Sequence, residues 1–339
     1  MLRMQPFELV QPTTVDEALA LLAQDGAVAL AGGTDLLPNV KHELLSPRIV
    51  VALGGIAALQ GSVRRADGAL SIGALVTLDA LAHDATVNAH APALAQAASL
   101  VAGPQLRRMG TLGGNVLLDT RCQWYNQSYF WRTALGYCLK KDGTLCHVVE
   151  SGSKCVAAAS NDTAAPLLTL GAQLELASVR GTRTLALSEL YRADGAAHLA
   201  LEPGELLVRV VVPATPSGHR GAYGKLRERG SIDFPLLGVA ARLDADESGA
   251  HLAHASLAAV ALQARPLLLP KAAAALVGAP LAGERFEAAV AEAVKLAHRQ
   301  LHPVDNVPGD AAWRKAMVPV YVRETLRAAA AGTGPVHGR

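Results

Sequence analysis

Apolar and polar positions along this chain fall into short blocks whose period switches between two and about 3.6, the mark of mixed sheet and helix. Residues 7–10 read as a short strand stopped by Pro12. Thr14 and Glu17 have capping-box spacing, with Ala18, Leu19, Leu21 and Leu22 on one helical face behind them and Gly26 as the stop. Residues 27–30 predict a buried strand that runs into Ala31, Gly32, Gly33, Thr34 and Asp35, and a helical pattern resumes over 36–43. Further strands are expected at 49–53 and 70–74, the second followed by a turn and a helix over 77–81. Residues 91–102 predict a helix ended by Pro104, and 107–115 a second glycine-rich turn. Beyond it come a short buried helix at 167–170, strands at 173–178 and 206–212, and a Pro/Ser/Gly linker at 213–218. Residues 221–243 and 252–262 read as antiparallel strands and 286–301 and 311–331 as amphipathic helices, with 332–339 a disordered tail.

Composition narrows the function. The chain has 339 residues, room for two or three domains. Its 31 basic and 29 acidic residues balance, which excludes a charge-driven nucleic-acid or membrane-surface role. No long uncharged apolar run predicts a membrane span, and the N-terminus has no apolar core of signal-peptide length, so a cytoplasmic protein is expected. A mean hydropathy of +0.24 points to surface covered by partner subunits.

One stretch differs from the rest. All four cysteines, Cys122, Cys138, Cys146 and Cys155, lie between Gly110 and Pro166, with six of the thirteen aromatic residues. In a reducing compartment such a group points to metal or catalysis before disulfides. The intervals lack the C-x-x-C knuckles that zinc favours. Four thiolates can hold an iron–sulfur cube, which tolerates irregular spacing, and the aromatics would shield it from water. Structural zinc and unligated thiols remain open on spacing alone. The strand–glycine turn–helix at 27–43 suits an anion, through outward backbone N–H groups and the helix N-terminus. It is neither a G-x-G-x-x-G nor a P-loop, and an ordinary tight turn is the other reading. The second glycine turn strengthens the case for a dinucleotide. The eleven histidines are dispersed. His251 and His254 are expected on opposite faces of a strand, and His147, next to Cys146, either supports the cysteine site or lies in a solvated loop. With no acid–base or nucleophilic set, the chemistry should belong to cofactors.

AGGTDLLP (31–38), IGALVTLDAL (72–81), RRMGTLGGNV (107–116), SNDTAAPLLTLGA (160–172) and KLRERGSIDFPLLGVA (225–240) together resemble the FAD-binding subunits of molybdenum hydroxylases, the xanthine dehydrogenase and carbon monoxide dehydrogenase family. The resemblance covers nearly the whole chain and keeps the motif order. It implies an α+β protein: a two-subdomain PCMH-type FAD-binding fold over 1–216 (subdomains 1–57 and 58–216), then a CO-dehydrogenase-flavoprotein-like C-terminal α+β domain over 217–331 and a tail at 332–339. Gly32, Gly33, Thr34 and Asp35 would hold the FAD pyrophosphate, within a loop that also includes Ala29, Leu30, Ala31 and Leu36. Thr111, Gly114 and Asn115 would make a second phosphate-side contact. Asp162 would bind the ribityl or adenosine portion, Lys225 and Asp233 would lie near the flavin ring, and Thr77 is a weaker carry-over. Leu168 is as well explained by the core.

Between Asn115 and Asp162 this chain departs from most of that family. The insertion, about 118–158, is similar to that of the β subunits of 4-hydroxybenzoyl-CoA reductases. That similarity implies a [4Fe–4S] cluster on Cys122, Cys138, Cys146 and Cys155, fed by ferredoxin and feeding FAD. It also implies a molybdenum-cofactor subunit and a [2Fe–2S] subunit as partners, a heterotrimer that dimerises. Lys140, Lys141 and Lys154 would then dock an acidic ferredoxin, or serve solubility alone.

Overall fold

A computed structural model describes residues 3–337. Three sheets carry the chain. The first is small and parallel: Glu8–Val10 and Ala27–Leu30 flank Ile49–Ala52. The capping box forms as expected, with the Thr14 hydroxyl accepting from the Glu17 N–H, and starts helix Val15–Leu22 over this sheet. Ala27–Leu30 is not buried as its apolar run suggested. It is an edge strand, half-exposed along its length.

The central sheet is antiparallel, with Ser62–Arg64, Leu70–Gly73, Leu206–Val212, Gln173–Ser178 and Gly181–Ala186 in spatial order. Helices Leu78–His83, Ala85–His90, Pro92–Ser99 and Ala164–Thr169 bury their apolar faces with it in one core. The strand at Gly181–Ala186 escaped the sequence reading, since Arg183 and its threonines face solvent and leave almost no apolar alternation. The chain crosses the linker at 213–218 into a second five-stranded sheet built on His219–Leu226, Leu237–Ala245 and Leu252–Val260. Helices Glu284–Gln300 and Ala311–Ala331 pack on it. Tyr223, Ala240, Ala258 and Val260 of this sheet also belong to the central core, so the two units share buried surface.

Several expectations change. Pro104 does not end the preceding helix. That helix stops at Ser99, and Pro104 opens the next, Pro104–Met109, where a missing N–H costs nothing. The second glycine motif is not a turn: Gly110 and Thr111 are extended, while Gly113 and Gly114 lie inside the short helix Leu112–Val116. The first helix ends at Leu22, ahead of Gly26, which instead takes φ +73° in the turn into the next strand. The tail is not wholly disordered: Val336–His337 adds in parallel to His219–Leu226, supplying an edge with partners. The last two positions of the expected tail, 338–339, lie outside the described residues. Among the described residues no helix is long and apolar enough to cross a membrane. Leu94 is fully buried in the central core, so Leu94→Ala should lower stability by about 2–5 kcal/mol, measured by denaturant unfolding of the chain.

Candidate functional site

The site begins where the first sheet hands over to helix Leu36–Lys41. A Cβ on Gly32 would sit 1.7 Å from the Met109 carbonyl oxygen, so only glycine lets the two glycine-rich segments meet. Gly33 takes φ +71°, which bends the chain into the helix. Ala29 and Thr34 are exposed, Leu30, Ala31, Gly32, Gly33, Asp35 and Leu36 half-buried, so the loop keeps backbone open to a ligand. On the facing segment Thr111 is buried and its hydroxyl accepts from the Gly114 N–H at 3.1 Å, while Gly114 itself is exposed. Thr77 caps its helix by accepting from the Ala80 N–H at 3.2 Å and pairs with Thr111 in an isolated bridge. The two threonines thus lock the second segment to the central domain.

Asn115 and Asp162 are occupied within the protein. The Asn115 amide oxygen accepts from the Thr163 N–H and hydroxyl at 3.0 and 2.6 Å, joining the ends between which the cysteine segment departs. The Asp162 carboxylate accepts from the Tyr223 hydroxyl at 2.8 Å and from the Lys225 ammonium at 3.2 Å. Lys225, fully buried, also donates to the carbonyls of Leu100 and Asp233. Asp233 is held by Arg227 in a two-pronged ion pair. Burial pushes the Asp162 carboxyl upward against the pull of Lys225, its nearest cation. These groups form a wall between the central and C-terminal units. Leu168 is plain core.

Arg121 was not among the expected residues. Its guanidinium forms an ion pair with Asp35 and lies 4.6 Å from the centre of the Phe234 ring, from the C-terminal unit. Burial pulls its pKa down to about 10, and its Nε has no partner. Its one sequence signal is its place beside Cys122.

The four cysteines, all free and buried, line one cavity. That cavity has about 20 Å³ open to the centre of a water-sized sphere. Trp124, Tyr125, Lys140 and His147 complete much of its wall. Burial raises the Cys122 thiol and lifts Cys155 to about 11. Among the described residues no three His, Cys, Asp or Glu side chains converge as a single metal ion would need. An all-thiol donor set suits soft ions such as iron or zinc. His147 is not a solvated loop residue: it stacks on Trp124 at 4.8 Å between centroids and contacts the Tyr137 carbonyl.

Two further expectations fail here. Lys140 is unavailable to a docking partner, because its ammonium is buried on Asp119 at 2.6 Å and over the Tyr125 ring. Lys154 is exposed. The aromatics split into two groups: Trp124 and Tyr125 line the cavity, whereas Tyr137, Tyr129, Phe130 and Trp131 do not, the last three being 44, 74 and 56% exposed and the Tyr129 ring lying against Arg132 instead. His251 and His254 are surface residues with half-exposed side chains.

Residues 5–215 match the FAD binding domain in molybdopterin dehydrogenase, and 222–329 the CO dehydrogenase flavoprotein C-terminal domain. The chain belongs to the FAD-binding subunits of the molybdopterin dehydrogenase family. It is 31% identical to the carbon monoxide dehydrogenase medium chain of Afipia carboxidovorans, over 96% of this chain and 97% of that protein. It is 35% identical to the aldehyde oxidoreductase FAD-binding subunit of Escherichia coli K12, over 70% of this chain and 77% of that one. The fold superposes on a crystal structure of Cu,Mo-CO dehydrogenase in its cyanide-inactivated form, with a TM-score of 0.78 and 29% identity, over 98% of this chain and 100% of that one. The structure of the Hydrogenophaga pseudoflava carbon monoxide dehydrogenase gives 0.77 at 27%, over 98% and 100%. As a family member the chain is an oxidoreductase subunit that binds FAD. The residues present fit such a ligand: open backbone at Thr34 and Gly114, a glycine contact that admits no Cβ, and the exposed apolar Met109 and Phe234 beside the loop.

The buried charge wall is testable. Lys225→Met leaves the Asp162 carboxylate without its ammonium and should cost about 3–5 kcal/mol in urea unfolding, part of which returns when Asp162→Asn is added.

Proposed function

We propose that this chain is the electron-transfer subunit of a molybdenum enzyme, holding a [4Fe–4S] cluster as well as FAD and serving reductive dehydroxylation of 4-hydroxybenzoyl-CoA. The observation that carries this reading is the meeting of Cys122, Cys138, Cys146 and Cys155 around one cavity, in a segment tied to the glycine loop. The space open to water there is small. Four thiols lining one cavity give the all-sulfur donor set that a soft-metal group takes. When bound, FAD supplies two-electron storage and the cluster one-electron exchange.

The residues around these groups have definite tasks. Gly32, Gly33, Thr34 and Asp35, within 29–36, would present backbone N–H groups to the pyrophosphate. Thr111, Gly114 and Asn115 would shape the opposite side, with Thr77 behind them. Asp162, Lys225 and Asp233 would support the ribityl and ring side as a rigid charged wall. Trp124 and Tyr125 would keep water from the thiolates, and the buried Lys140 ammonium would offset part of their charge. Relatives named as medium chains or FAD-binding subunits are parts of larger enzymes. Here the partners would be a molybdenum-cofactor subunit and a [2Fe–2S] subunit, in a heterotrimer that dimerises in the cytoplasm. Ferredoxin would be the donor, docking without Lys140.

A second reading is favoured by the relatives' names, which include a carbon monoxide dehydrogenase and an aldehyde oxidoreductase. On it the chain is the FAD subunit of an oxidative molybdenum hydroxylase with a zinc-stapled insertion. Elemental analysis decides between them. About four irons with matching acid-labile sulfide per chain support the first, and one zinc per chain establishes the second. Cys138→Ser, assayed with FAD saturating, should abolish ferredoxin-driven flavin reduction; an unchanged rate removes the cluster from the path. Gly32→Ala should release bound flavin, seen as loss of the yellow absorption, because its Cβ has no room beside Met109.

A further inference from the structure

We infer that the cysteine-bearing segment is a clamp on the flavin-phosphate loop, so that filling the thiolate site and binding FAD strengthen one another. This rests on the cluster reading above, and it adds a role for residues that reading does not use. Helix Leu36–Lys41, which continues the glycine loop, has six residues, too few to persist unaided. Its N-cap residue, Asp35, makes no capping bond. The carboxylate turns instead to Arg121 and to the Asn39 amide, the latter at 3.1 Å. At the other end the chain leaves through Glu43 at φ +57°. There Arg132, 1% exposed, donates to the carbonyls of His42 and Glu43 at 3.4 and 3.0 Å, and is anchored by Asp142 at 2.9 Å. Leu44, the next residue, is buried in the same small core as Cys122, Tyr125, Cys138 and Cys155.

The insertion therefore holds the helix at both ends and seats the residue that follows it. Arg121 is adjacent to Cys122, and Arg132 and its anchor Asp142 bracket Cys138. Any group that pins those sulfurs also pins both arginines. With the thiols unligated the segment keeps this small core and bonds such as Lys140 to Asp119 and Gln123 to the Asp305 carbonyl, and ligation of the sulfurs adds to that hold. Two sites that share an ordered element are thermodynamically linked, and the link is reciprocal. Arg121 is a positioning residue in this scheme: it touches Asp35, not the reacting atoms.

The test measures FAD affinity by flavin fluorescence on the full chain, anaerobically, before and after iron is removed with a chelator. In the wild type, iron removal should weaken FAD binding by about 5- to 150-fold, the usual span of coupling between sites. Arg121→Gln should bind FAD weakly with iron in place, and stripping should change its affinity by a smaller factor than in the wild type, the remainder carried by Arg132. Arg121→Lys should recover part of the affinity, and Asp35→Asn should behave like Arg121→Gln without altering the segment itself. By linkage, saturating FAD should make the iron harder to extract in the wild type, and less so in Arg121→Gln. Wild-type FAD affinity in Arg121→Gln, or an undiminished dependence on iron in that variant, overturns the proposal. Iron and sulfide assays run alongside separate this from failure of the cluster reading. A chain that never holds iron sinks that reading, and the clamp then stands or falls on whether Arg121→Gln and Asp35→Asn weaken FAD binding.

Discussion

A single turn and a half of helix has too few internal hydrogen bonds to offset the entropy of ordering it, and this one sits where a ligand loop must be rigid. The protein resolves that conflict by holding the helix from outside. Two buried guanidinium groups reach it from a distant part of the chain, one at each end. Burying a guanidinium is costly unless it is paired, so each arginine fixes its partner as firmly as its partner fixes it. Arg121 finds Asp35, and Arg132 finds Asp142 and two free carbonyls. The short helix after the glycine loop is thus held at both ends by the cysteine-bearing segment, while the strand leading into the loop is a half-exposed edge.

The opposite side of the site obeys the same rule. Asp162 and Lys225 are sunk together between the central and C-terminal units, with Tyr223 taking the remaining carboxylate oxygen. Because Asp162 sits in the turn before helix Ala164–Thr169 and Lys225 on a strand of the C-terminal sheet, the pair ties the central unit to that sheet by a charge balance. Shared apolar burial holds the sheets together, and the ion pair selects one way of docking them.

The cysteine pocket adjoins the first of these sides through Leu44, which follows the short helix. Its lining is small, apolar and aromatic, with one buried ammonium held on Asp119. The outward aromatics, Phe130 and Trp131, leave the insertion with an apolar exterior as well. The segment therefore faces two ways, toward the thiols and toward whatever surrounds the subunit.

Much of this was legible in the chain. The capping box, the paired glycine motifs, the antiparallel C-terminal strands and the grouping of four cysteines each rest on short-range patterns, and local geometry follows from local residues. Other features were not legible. Pro104 as a helix start, Gly113 and Gly114 within a helix, and the pairing of Val336–His337 depend on what each segment packs against. Lys140 read as a surface cation until Asp119 and Tyr125 closed over it. The sequence by itself determined which chemical groups are present and in what local frame: the glycines that let two loops touch, the thiols, the capping side chains. Tertiary structure alone decided which charges are buried and with whom. Asp35 and Arg121 lie 86 positions apart, and burial, which makes their pairing obligatory, is a property of the assembled core and not of either neighbourhood in the chain.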